Sequence, residues 1–121
     1  MNKKRVLLAG AALLLSGAAA RAEVLITPPL VAEGDLVLDC YLVNVSRTVR
    51  AVTIEVLNRD GEVVETVDTE LGPFEEDVAR TTSDQLGRVC RFKVEGRKGL
   101  FRGSILVRED GIGAISALPA F

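Results

Sequence analysis

"LDCYLVNVS" at residues 38–46 and "RVCRFKVEG" at residues 88–96 decide the fold. Each alternates apolar and polar residues, and each carries one of the chain's two cysteines, Cys40 and Cys90. Strand side chains repeat every second residue, so Leu36, Leu38, Cys40 and Leu42 share a face in the first stretch. In the second, Cys90, Phe92 and Val94 share a face, while Arg91, Lys93 and Glu95 point away. Both cysteines therefore face a core, and two core-facing cysteines on separate strands of a thin layered domain are placed to bridge. The competing reading is a pair of free buried thiols. A redox role has less to support it, because there is no C-x-x-C spacing and both thiols are expected among apolar neighbours.

Whether a bridge can persist depends on the compartment, and the N-terminus bears on that. Lys3, Lys4 and Arg5 precede an apolar run over residues 6–15, which is short for a bilayer span of about 20 residues. Ala20-Arg21-Ala22 then supplies a small-x-small pattern. Residues 1–22 read as a signal peptide that forms an isolated helix and is removed after Ala22, leaving residues 23–121 as one domain. The alternative, an uncleaved anchor, lacks flanking residues that would halt transfer. A secreted or periplasmic location follows, with no stable membrane anchor once the leader is gone, and disulfides persist in such compartments. Four of the 15 Lys and Arg residues and none of the 17 acids precede Glu23, so the remainder carries a net charge of −6. That balance argues against a general nucleic-acid or anionic-membrane binder.

Outward from the cysteine stretches, the chain breaks into short alternating segments. "EVLITPPL" is a short edge strand stopped by Pro28-Pro29. Strands are expected over residues 36–45, 50–58 and 62–70, the last two joined by Asp60-Gly61, a pair suited to a tight hairpin turn. "FEEDVARTT", residues 74–82, reads as a fifth strand anchored by Phe74 and Val78, with a helical turn as the alternative. The Cys90 strand, residues 100–109 and residues 112–119 complete the set. Phe101, Gly103, Ile105 and Val107 are expected on one face. Seven to eight short strands with turn signals about every ten residues indicate an all-β antiparallel sandwich.

With the cysteines on the second strand and near the end of the series, the chain resembles an immunoglobulin-like sandwich, in which such a pair would bridge the two sheets. "CYLVNVSRTVRAVTIEVLNRDGEVVET", residues 40–66, also resembles small secreted bacterial proteins of unassigned function that share a Cys-Tyr-aliphatic-x-Asn opening followed by a strand-Asp-Gly-strand hairpin. The chain departs from antibody-type domains. It has no tryptophan, and Arg88 stands two residues before the second cysteine where those domains carry tyrosine. The resemblance implies architecture and no particular activity.

Chemistry is sparsely supplied. The chain has no histidine, which removes Ser-His-Asp and Cys-His machinery and the commonest metal ligand. Two cysteines alone make no zinc site. Glu75-Glu76-Asp77 lacks the spaced ligands and turn glycine of a calcium loop and reads as a solvated strand end. Asn44-Val45-Ser46 matches a glycosylation sequon and is read as a strand end. No cofactor, no metal and no catalysis are expected.

What rises above background is charge segregation. Residues 23–87 hold 14 acids and 4 bases, whereas residues 88–121 hold 7 bases and 3 acids. The bases are Arg88, Arg91, Lys93, Arg97, Lys98, Arg102 and Arg108. If their two strands pair, Arg91, Lys93, Arg102 and Arg108 form one patch. Such a patch would dock an acidic protein partner or support weak self-association. The plainer reading is cross-strand neutralisation by acids of a neighbouring strand such as Glu55. The expected function is a secreted, non-catalytic binding or accessory module. The alternative is a structural subunit of an envelope assembly joined through edge strands.

Overall fold

The computed structural model describes residues 22–31, 36–82, 87–109 and 113–121. The expected signal helix lies outside these residues, and Ala22 opens the first strand. Among the described residues there are nine strands: β1 (Ala22–Ile26), β2 (Leu30–Val31), β3 (Leu36–Asn44), β4 (Arg50–Leu57), β5 (Val63–Leu71), β6 (Glu76–Thr82), β7 (Gly87–Glu95), β8 (Phe101–Glu109) and β9 (Gly113–Pro119). A single 3-10 turn, Lys98–Leu100, links β7 to β8. The strands form two antiparallel sheets, one in the order β1-β7-β4-β5 with β2 also on β7, the other in the order β6-β3-β8-β9.

Alternation sets the faces as expected. Leu38, Cys40 and Leu42 of β3, Val52, Ile54 and Val56 of β4, and Cys90, Phe92 and Val94 of β7 are all buried. Cys40 and Cys90 are bonded, with Cα atoms 5.7 Å apart, and so tie an inner strand of each sheet to the other. A buried bridge of this kind suggests an oxidising, non-cytoplasmic compartment, where disulfides persist. The β4–β5 hairpin closes around Asn58, whose Oδ1 accepts the N–H groups of Asp60 and Glu62, both at 2.9 Å. Gly61 takes the left-handed conformation there, at φ 84°. Gly103 serves a different need. A Cβ at that position would lie 2.8 Å from Cε2 of Phe92, so its absence lets the Phe92 ring of one sheet rest on the β8 backbone of the other.

Two expectations are corrected. Phe74 does not anchor β6: it sits in the turn before it, 71% exposed and at φ 62°. The core residue of β6 is Ala79, opposite Cys40, while Val78 pairs with Tyr41 on the outer face. Moreover, β7 and β8 are consecutive in sequence but not paired. β8 runs between β3 and β9, in the sheet opposite β7. In the constant-type immunoglobulin pattern the final strand joins the sheet of the second cysteine; here it joins that of the first.

The flanks are closed differently. On one, Ile26 and Phe121 exchange backbone hydrogen bonds of 3.0 and 3.1 Å, joining β1 to the chain's C-terminal end after β9. On the other, β5 passes into β6 through residues 72–75. That turn is held by Asn44, which is fully buried and donates Nδ2 to the carbonyls of Leu71 and Thr48, both at 2.8 Å. Its Oδ1 accepts from the N–H and Oγ of Ser46. The sequon asparagine is thus a structural hub whose amide is committed to the backbone.

Candidate functional site

The seven bases fall into four environments. Arg91 and Lys93 lie on the outer face of β7, beside β4. Arg91 Nε stands 2.6 Å from Glu55 Oε1 and Lys93 Nζ 3.4 Å from Glu55 Oε2. The register places Glu55 directly opposite Arg91, so this is cross-strand neutralisation of the plain kind. Burial alone would raise the Glu55 pKa. The hydrogen bond and charge of Arg91, helped by Lys93, outweigh it and hold the carboxyl below its ordinary value.

Arg108 lies on the outer face of the other sheet. Its Nε is 2.6 Å from Oδ2 of Asp39, whose Oδ1 meets Arg80 Nε at 2.7 Å. Asp39 projects from the outer face of β3 yet is fully buried, because the two guanidinium groups cover it. Its hydrogen bond and charge raise the pKa of Arg80 above the ordinary value, against a smaller opposing effect of burial. Arg88, also within the charge run, is buried.

Arg97, Lys98 and Arg102 are different. All three are exposed, and none forms an ion pair among the described residues. The guanidinium of Arg102 donates to the carbonyls of Gly99 and Phe101, at 3.0 and 2.8 Å, which fixes its stem against the β7–β8 turn. A second anchor holds that turn, since the Glu23 carboxylate accepts the backbone N–H of Lys98 at 2.8 Å. Lys98 and Arg102 border an open groove of about 440 Å³ between β1 of one sheet and β8 and the C-terminal residues of the other. Its apolar lining comes from Leu25, Phe101, Gly103, Pro119, Ala120 and Phe121, with Gly99 at the rim.

The structure therefore does not gather the seven bases into one patch. It buries Arg88, commits Arg91, Lys93 and Arg108 to internal acids, and leaves Arg97, Lys98 and Arg102 exposed, the last two bordering one groove. Sequence reasoning missed the groove. Its one legible trace was Gly103, a glycine inside a strand, which marks a close approach of another group. Two of the carboxylates in the Glu75-Glu76-Asp77 run are engaged locally: Glu75 Oε1 accepts the N–H of Gly72 at 2.7 Å and Asp77 Oδ1 that of Val78 at 2.8 Å. No helix among the described residues is long and apolar enough to cross a membrane. The chain matches no protein-family model, no curated protein and no solved structure.

Proposed function

We propose that the protein is an exported, non-catalytic binding module that docks an acidic segment of a protein partner, bearing one apolar side chain, in the groove bordered by Lys98 and Arg102, with Arg97 next to Lys98 in the same turn. One observation carries the reading. These three bases stay exposed and outside any ion pair among the described residues, and two of them, Lys98 and Arg102, border an open apolar groove, while three others of the run are neutralised within the fold. A groove with an apolar floor and a few polar groups at its rim is the usual form of a ligand site, with the apolar part supplying affinity and the charges orientation. The leader-like N-terminus and the buried disulfide support export. The bridge between inner strands of two sheets supports an immunoglobulin-like kinship despite the different placement of β8.

The test is a binding titration with a labelled acidic peptide carrying one phenylalanine, alongside control peptides with phenylalanine replaced by alanine or glutamates by glutamines. Binding should weaken with either control and with rising salt. It should disappear in the triple variant Arg97→Glu, Lys98→Glu, Arg102→Glu, whose far-ultraviolet circular dichroism should match the parent. Equal binding by parent and triple variant would end the proposal.

A further inference from the structure

Phe74 is unexplained by the fold. It is the only non-glycine residue among those described with positive φ, at 62°, a conformation that is strained for a bulky side chain. Packing does not account for it, since the ring is 71% exposed. Yet the turn is firmly built. The N–H of Phe74 donates to the Asn44 carbonyl at 2.6 Å, that of Glu75 to the Gly72 carbonyl at 3.1 Å, and Asn44 holds Leu71. A rigid turn that presents an aromatic ring to water at a conformational cost is a feature of a contact surface. Acids follow the ring in Glu75, Glu76 and Asp77, and none of them forms an ion pair among the described residues.

We infer that the occupant of the groove is a second copy of this chain, with Phe74 of one copy entering the groove of the next. The inference rests on the reading of the groove given above and names its partner. The complementarity is double: an aromatic ring with following acids on one side, an apolar floor bordered by Lys98 and Arg102 on the other. The sheet orders place the two features on opposite flanks, the turn where β5 meets β6 and the groove where β1 faces β8 and β9. A copy therefore cannot fill its own groove. Because the two surfaces differ, the contact is head-to-tail, and successive copies add in a row or close into a ring. Charge attraction across the contact weakens as salt shortens the screening length.

The experiment is sedimentation velocity over a concentration series, at about 0.02 M and about 0.3 M salt. The variants are Phe74→Gly, which removes the ring and suits the positive φ, and the pair Lys98→Glu with Arg102→Glu. The parent should form a ladder of species that grows with concentration and shrinks with salt. Each variant alone should be monomeric, with an unfolding midpoint no lower than the parent's for Phe74→Gly. An equimolar mixture of the two should form a dimer and nothing larger, because it contains one intact ring surface and one intact groove. A parent that stays monomeric throughout, an oligomeric Phe74→Gly, or a mixture without dimer overturns the inference. A labelled peptide of residues 72–78 separates the two proposals. If the parent is monomeric but this peptide binds it and not the groove variant, the groove reading survives and self-association falls; if the peptide does not bind either, both fall.

Discussion

Replacing both Cys40 and Cys90 with alanine perturbs the fold at the point where the two sheets are tied. The cysteines are 50 residues apart, and opening a loop of that length should destabilise by about 4 kcal/mol through entropy returned to the unfolded chain. Both side chains are fully buried, so the missing sulfurs leave small voids that add about 1 kcal/mol. A domain of this size has a margin of about 5–15 kcal/mol, so the loss takes a large part of it. With one tyrosine and no tryptophan in the chain, strand circular dichroism is the appropriate signal. At a urea dependence of about 1 kcal/mol per molar, the unfolding midpoint should fall by about 4 M or the variant should be unfolded in buffer. Reduced parent protein keeps the sulfurs and loses only the link, so it isolates the loop contribution. A midpoint shift under about 1 M with an unchanged slope would refute the reasoning.

Three further outcomes follow from individual contacts. The folded-state pKa of Glu55 is lowered, so its stabilisation is present above the ordinary value of about 4.5 and is lost as pH falls through the lower folded value. Glu55→Gln should therefore be less stable than the parent near neutrality and lose less on acidification, as read by urea unfolding from about pH 6 to about pH 3; parallel curves would contradict this. Asp39→Ala should cost about 3 kcal/mol, because it leaves Arg80 and Arg108 facing each other without their shared carboxylate, whereas Arg80→Ala, whose side chain is half exposed, should cost about 1 kcal/mol. Gly103→Ala should cost about 1–3 kcal/mol in thermal or urea unfolding, since its Cβ would lie 2.8 Å from the ring of the fully buried Phe92 and something must shift to admit it.

Much of the architecture was legible because alternation is a local signal. It located β3, β4, β5, β7, β8 and β9 to within one or two residues and oriented both cysteines inward. β6 was harder. It is short, its core residue is the small Ala79, and the larger Val78 and Phe74 drew the inward phase to the wrong positions. Partnership between strands was not legible, because period two states which face a residue occupies and not which strand lies beside it. Arg91 and Arg102 are equally outward in their own strands, yet the ladder sends them to different sheets. The Asp39 cluster was hidden for the same reason, as it joins residues 39, 80 and 108 from three strands. Only Glu55, weighed from the start as a neutralising neighbour, was correctly set beside Arg91 and Lys93.

The central claim is that the exposed bases and the groove beside them are the docking site, while the other outward bases serve the fold. Amide chemical shifts recorded on ¹⁵N-labelled protein during titration with the acidic, phenylalanine-bearing peptide test it residue by residue. The account predicts changes concentrated at residues 98–103 and 120–121, where the groove is lined, and their loss in the Arg97→Glu, Lys98→Glu, Arg102→Glu variant. Changes centred on Arg91 and Lys93 or on Arg80 and Arg108, or none at saturating peptide, would contradict it.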